Sequence, residues 1–306
     1  MYDFKNILVA LDRSEMDRIL LNNLYKLQPM VSVEKVYFLH VTKNEIIPDE
    51  ITGLSPLLMG PSDVDLEEEI REQLKEIWEK QERKKEYEIH IEKGSMSKRL
   101  IEFSEKKDVD LIIFGKKLKR KGVKSRQVAR FAHCSVLIVP ENIPEKLDHI
   151  AVAVDFSSSS IDALEIGINV ARHNENTKLS AIHLYELPVG YTTVGHSYDE
   201  TNSIMKENIQ KNFDALLEKI DTKGVKIETL PIFKPQYETF EKSLTHTLHE
   251  LDASTVVIGS HGRDAFVEWM LGSSTEKFLD ISLDIPVFIT KKKGKFMPII
   301  DSFFDK

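Results

Sequence analysis

The chain has 306 residues, 41% hydrophobic and 30% charged, an ordinary globular composition with room for two domains that each bury a core. Its single cysteine, Cys134, excludes an internal disulfide framework and fits a reducing, cytoplasmic setting. A net charge of −8 argues against nucleic acid as a partner, no stretch approaches the ~20 apolar residues of a membrane span, and the first residues run into a strand-like segment where a signal peptide would sit.

In chain order, the first apolar run is Asn6-Ile-Leu-Val-Ala-Leu-Asp12, and it returns as His149-Ile-Ala-Val-Ala-Val-Asp155, 143 positions later. Val36-Tyr-Phe-Leu-His40 returns as Leu179-Ser-Ala-Ile-His183 at the same spacing, and Asp110-Leu-Ile-Ile-Phe-Gly115 as Ser254-Thr-Val-Val-Ile-Gly259 at 144. Register held over a hundred residues marks a duplicated domain. The last pair, Val136–Val139 and Val287–Thr290, lies 151 apart, so the first copy lacks seven residues between Gly115 and Val136.

Within copy one, short apolar runs at about 6–11, 36–41, 111–114 and 136–139 read as strands buried on both faces of a parallel sheet. Leu66, Ile70, Leu74 and Ile77 share one helix face among charged neighbours. Copy two carries helical patterns from Ser158 to about Arg172, Asp199 to Lys219 and Glu238 to Leu251, with Ser157 or Ser158 as N-cap of the first. The alternation predicts an α/β fold, with right-handed crossovers and helices on both faces of a doubly wound sheet. The boundary is expected in the polar, proline-bearing segment 141–147, giving domains at 1–142 and 147–294 and a tail at 295–306 whose apolar residues dock on the domain or on a neighbouring subunit. Poorly patterned stretches at about 43–62 and 186–198 lie where ligand lids or plain variable loops sit.

Ligands of open α/β sheets bind beyond the carboxyl ends of the strands, where strand order reverses. Copy two places Asp155, the His183–Leu184 pair and the loop from Gly259 there. That loop has the form Gly-x2-Gly-x9-Gly-Ser: Gly259 and Gly262 allow a sharp turn and close backbone approach, and Gly272-Ser-Ser-Thr opens a helix. Unpaired amides and the positive end of that helix suit a phosphate, with the hydroxyls of Ser273, Ser274 and Thr275 as extra donors or caps. A bare turn and N-cap is the competing explanation.

Ile258-Gly-Ser-His-Gly-Arg through Leu271-Gly-Ser-Ser-Thr-Glu-Lys, ending in Ile285-Pro-Val-Phe-Ile, resembles the nucleotide loop of the ATP-binding branch of the universal stress protein family. The likeness covers nearly the whole chain as two tandem copies. It implies two Rossmann-like (adenine nucleotide alpha-hydrolase-like) domains, each a five-stranded parallel sheet. By the same resemblance, Ala153, Val154 and Asp155 contact the base side of an ATP with Leu184 beside them. Ile258, Gly259, His261, Gly262, Gly272, Ser273, Ser274 and Thr275 then line the ribose and triphosphate. The family also pairs the last strands of two domains across a two-fold axis, which implies an intramolecular pseudo-dimer here. Further association into a homodimer and the presence of magnesium stay open.

Copy one departs from the pattern. Leu118 replaces the second glycine, Gly122 stands too close to Gly115 to wrap a triphosphate in the same way, and residues 116–130 hold eight Lys or Arg and no acid. A basic loop that has lost ATP binding and an altered anion site are both consistent with this. Asp12 persists, but it is followed by Arg13-Ser-Glu-Met, where Asp155 is followed by the serine run Ser157 to Ser160.

Other candidates are weaker. His40 and His183 read as core or pocket-wall histidines, His246 and His249 as surface residues without a metal set, Cys134 as a small buried hydrophobe, and the charged face of the 63–85 helix as solvated. Among the histidines, His261 is the candidate phosphate or ribose contact. There is no Gly-x4-Gly-Lys-Ser/Thr, no Gly-x-Gly-x2-Gly and no base paired with a nucleophile. Three functions follow: a nucleotide-dependent stress-response regulator, a slow ATP hydrolase or nucleotidyl transferase using His261, Asp264 or Asp155, or an interaction scaffold without nucleotide.

Overall fold

The computed structural model of the chain describes residues 4–27, 33–42, 62–77, 86–117, 123–173, 176–191, 195, 197–262, 271–281 and 283–294. The stretch 43–61, part of 186–198, Leu118, Gly122, Asp264 and the tail 295–306 lie outside them.

Copy one runs β1 (Asn6–Leu11), α1 (Glu15–Leu27), β2 (Lys35–Thr42), α2 (Asp63–Ile77), β3 (Glu86–Lys93), α3 (Met96–Lys106), β4 (Leu111–Lys116), α4 (Val123–Phe131) and β5 (Ser135–Pro140). Copy two runs β6 (His149–Ala153), α5 (Ser158–Ala171), β7 (Lys178–Tyr185), α6 (Tyr198–Leu217), β8 (Ile227–Phe233), α7 (Phe240–Glu250), β9 (Thr255–Gly259), α8 (Ser273–Phe278) and β10 (Val287–Thr290). All pairings within each copy are parallel, and the ten strands form one sheet in the order β3-β2-β1-β4-β5-β10-β9-β6-β7-β8. The halves meet where β10 pairs antiparallel with β5, Val287 opposite Ile138, Phe288 opposite Leu137 and Ile289 opposite Val136. Carboxyl ends of the two half-sheets therefore point in opposite directions.

Strand alternation divides the core between the two faces. Ile7, Val9 and Leu11 face one layer, with Leu20 and Leu24 of α1, Ile70 and Leu74 of α2, Leu164 of α5 and Phe213 of α6. Leu8 and Ala10 face the other, with Leu100 of α3, Val128 of α4, Leu244 of α7 and Phe278 of α8. Both layers run through both halves, so the boundary segment is no loose linker: Leu147 is buried and Ile143 packs on the first layer.

Strands β3 and β8 did not show in the apolar pattern. They are the two edges of the sheet, and their side chains are mostly half-exposed. Pro231 sits within β8, where an edge tolerates a residue that cannot donate. The duplication also extends to backbone conformation. Arg13 and Phe156 take positive φ of 57° and 64° just after the first strand of each copy, and Asp108 and Asp252 take 50° and 50° after α3 and α7. Non-glycine residues rarely adopt this region.

The two halves also exchange lysines. Lys291, beyond β10, donates from Nζ to the carbonyls of Arg130 (2.9 Å) and Ala132 (2.8 Å) at the end of α4. Lys116, ending β4, donates to the carbonyls of Leu279 (2.6 Å) and Ile281 (2.8 Å) beyond α8. Cations at helix carboxyl ends satisfy orphan carbonyls. Burial of Lys291 pushes its pKa from 10.5 down to about 7. Because the folded value lies below the unfolded one, unfolding takes up a proton between those limits, and stability rises with pH across that window. We expect urea unfolding to show a gain of up to about 2 kcal/mol from pH 7 to 8.5, and Lys291→Met to lose that slope. An equal slope in both proteins would mean that Lys291 is not held in a dry site.

Candidate functional site

The cleft of copy two forms where β6 and β9 part and the chain turns to opposite sides of the sheet. It has a volume of about 570 Å³. Ala153, Val154 and Asp155 come from the end of β6, Leu184 from β7, Ile258 and Gly259 from β9, and His261 and Gly262 from the loop that follows. Gly272, Ser273, Ser274 and Thr275 close the other side at the start of α8. The twelve residues singled out in the sequence thus line one space. Five more join them: Ser160, Ile182, His183, and Phe240 with Leu244 from α7. The α7 pair carried no signal beyond an ordinary helical apolar spacing.

Local bonds fix the β6 end. Asp155 Oδ1 accepts from the Ser157 amide (3.0 Å), and Ser160 Oγ accepts from the Asp155 amide (3.3 Å). Ser157 is the N-cap of α5, its hydroxyl accepting from the Ser160 amide (3.2 Å). The His183 ring is bound through Nδ1 to the Val154 carbonyl (2.7 Å) and packs on Phe156 at 4.8 Å between ring centroids. His40 repeats that bond to Leu11 O (2.9 Å) in copy one. Each histidine thus braces the first strand to the second.

The three glycines have different reasons to be there. A Cβ on Gly259 would lie 2.6 Å from Ser159 Oγ and 2.9 Å from Ser159 C, so this glycine lets α5 pack on β9. One on Gly262 would stand 2.8 Å from Asp155 Oδ2, inside the cleft. One on Gly272 would meet the His261 Cα at 3.4 Å. A left-handed turn at Gly262 is not observed: its φ, like the −65° of Gly272, lies outside the positive region, so space and not strain is what Gly259 and Gly262 require, while Gly272 has room for ordinary contact.

The loop's far side is tied back to β9. Gly272 N–H donates to Ser260 O (2.7 Å) and Thr275 Oγ1 donates to Gly259 O (3.2 Å). Thr275 therefore spends its hydroxyl proton internally, and no side chain caps α8. The helix has only 6 residues, so the dipole expected from the sequence is small and the local donors matter more. Glu276 N–H bonds Gly272 O (2.9 Å), which leaves the amides of Ser273, Ser274 and Thr275 ahead of the helical ladder.

Copy one is built differently at the matching positions. Lys117 Nζ reaches Asp12 Oδ2 at 3.0 Å, where copy two has His261 and Asp155. Burial works against the Asp12 charge, but bonds from Ser14 and Lys117 hold its carboxyl below the usual range. Met16, buried, fills the space beside Gly115 that the Ser159 hydroxyl takes beside Gly259. Asp17 replaces Ser160 and accepts from the amides of Asp12 and Arg13 (both 2.8 Å); burial pushes its pKa up to about 6.

Models of the universal stress protein family match the chain twice, over residues 3–140 and 146–291. The chain belongs to the universal stress protein family. The "Universal stress protein YxiE" of Bacillus subtilis is 30% identical over 148 residues, covering 46% of this chain and 96% of that protein. Among solved structures, a universal stress protein from Archaeoglobus fulgidus matches with a TM-score of 0.59 and 22% identity, over 94% of this chain and 98% of the other. A putative universal stress protein from Pseudomonas aeruginosa matches with a TM-score of 0.64 and 18% identity, over 95% and 94%. Each of these two likenesses is one of fold and extends over both halves of the chain.

The glycine assignments are testable without a ligand. Gly259→Ala should lower unfolding free energy by about 1–3 kcal/mol through overpacking against α5. Gly262→Ala, which meets only the end of a movable carboxylate, should stay within about 0.5 kcal/mol of the parent. Chemical denaturation of the two variants measures both, and the reverse ranking would refute the division of roles.

Proposed function

We propose that the C-terminal half, residues 147–294, binds ATP in the cleft between β6, β7 and α8, and that the protein is a nucleotide-dependent regulator of the stress response. The observation that carries this reading is the convergence of all twelve expected residues, from four separate chain segments, on one cleft of about 570 Å³. The cleft fits an adenine nucleotide in its two ends. Toward β7 it is walled by Val154, Leu184, Phe240 and Leu244, apolar surface suited to a purine ring. Toward α8 it presents loop amides, the hydroxyls of Ser273 and Ser274, and His261, donors suited to phosphate oxygens. Gly262 keeps the approach open, since a Cβ there would occupy the space in front of Asp155.

Among the described residues no group of three or more His, Cys, Asp or Glu could hold a metal. Lys117 fills the corresponding space in copy one with an ion pair to Asp12, which supports a single nucleotide per chain. We take the antiparallel β5–β10 junction as the seam of an intramolecular pseudo-dimer. A cytoplasmic location agrees with the buried free thiol of Cys134, whose pKa burial raises to about 12. Among the described residues no helix is long and apolar enough to cross a membrane.

Mass spectrometry of the small molecule released from purified protein should find an adenine nucleotide at no more than one per chain. Gly262→Val and Gly272→Val should each weaken ATP binding at least about tenfold (~1.4 kcal/mol) with the melting temperature of the apo protein little changed. Gly122→Val should leave ATP affinity unaltered. No thermal shift from ATP, or equal loss from the copy-one change, would overturn the assignment.

A further inference from the structure

The strand junction gives α8 a second neighbour. Because β10 runs against β5, its amino end lies at the carboxyl end of copy one. The chain between β9 and β10 therefore leads from the cleft of copy two to the crevice end of copy one, and α8 covers about 9 Å of that path. Its two ends are held by different halves. At the cleft end, Gly272 N–H bonds Ser260 O and Thr275 Oγ1 bonds Gly259 O, both within copy two. At the far end, Lys116 of copy one donates to Leu279 O and Ile281 O. Arg126 of α4 adds an ion pair to Asp280 at 3.1 Å, and Arg130 reaches Glu276 at 3.8 Å.

Of these contacts, the Lys116 pair is the least replaceable. Its surroundings include Ile138, Pro140, Phe278 and Leu283, and the space there amounts to about 10 Å³. With the lysine in place that is at the lower limit for one water molecule, so the two carbonyls take their donor from the ammonium and not from solvent beside it. Two half-buried carbonyls that lose a shared charged donor cost enough to displace a short element.

We infer that copy one acts as a clamp on the phosphate side of the cleft in copy two, with Lys116 as a positioning residue that sets where Ser273 and Ser274 stand. This rests on the ATP reading given above. Lys116 lies away from the base side: Ala153, Val154, Asp155 and Leu184 are carried by β6 and β7 and do not depend on α8. The clamp should therefore govern grip on the polyphosphate and leave grip on the nucleoside alone. It would also explain why a half whose Asp12 is already paired with Lys117 keeps a second lysine at the adjacent position.

Titration calorimetry of the full-length protein with ATP and with adenosine tests this. Lys116→Met should weaken ATP about tenfold and change adenosine affinity by less than twofold, with the apo melting curve showing a folded protein. Should that variant fail to fold, Arg126→Gln, which removes only the exposed pair to Asp280, should weaken ATP about two- to threefold with adenosine unchanged. Wild-type protein that binds neither ligand would sink the ATP reading and the clamp together. Wild-type binding with no ATP loss in the variant that folds would sink the clamp alone, as would equal losses for ATP and adenosine.

Discussion

Three residue pairs, Val287–Ile138, Phe288–Leu137 and Ile289–Val136, carry the arrangement on which everything else in the molecule depends. Strands β5 and β10 are fully buried along their length, and either one alone would leave an apolar half-sheet with a row of unpaired backbone groups. Pairing them removes both edges at once. The only edges left to the sheet are then β3 and β8, which are short of buried side chains and, in β3, rich in charge. Antiparallel sense at this seam also decides the placement of the two crevices. They open at opposite ends of the sheet, so each copy's last helix begins at its own crevice and finishes at the other's. The lysine exchange follows from that geometry, since each helix ends beside the carboxyl end of the opposing half-sheet, where Lys116 or Lys291 stands.

What the sequence revealed of this plan followed burial. Interior strands β1, β2, β4 and β5 and their copy-two equivalents are apolar on both faces, and their repetition at a fixed interval showed the duplication without any structural information. The edge strands stayed hidden because one-sided burial leaves Glu86, Glu88 and Glu92 in β3 and Pro231 in β8, residues that interrupt an apolar run. The cleft was legible for a different reason. Glycine at 259 and 262 is constrained by close approach, and with Gly272-Ser273 at the start of α8 these residue types form a spacing that chance seldom supplies. Phe240 and Leu244 left no comparable trace, because a cleft wall and a core contact ask for the same side chains. The φ of Arg13 and Phe156 was equally invisible, since neither residue type announces a left-handed backbone.

Divergence between the copies has an electrostatic logic that single positions do not show. Copy two ties Asp155 to a hydroxyl and an amide: the Ser157 amide donates to its carboxylate, and Ser160 Oγ accepts from its own amide. Copy one has put a second carboxylate, Asp17, in the place of Ser160, buried and raised to about 6. Two acids so close to each other would repel any anion and each other. Lys117 offsets them from the position of His261, and Met16 fills the remaining gap with apolar volume. Restoring a single copy-two residue in this setting would leave either an uncompensated carboxylate or an uncompensated ammonium. These exchanges therefore make sense only as a set.

The ion pair at the end of β4 also bears on the neighbouring half. The end of β4 is fixed by pairing to β5, with Lys116 opposite Pro140, and by the Lys117–Asp12 pair one residue further on. A lysine on a mobile loop would lose much of its grip on two carbonyls to side-chain and backbone entropy. Anchored between a strand register and an ion pair, its reach is largely set before α8 arrives. The ion pair of copy one therefore helps to fix the geometry at the far end of α8, the helix that begins at the cleft of the other half.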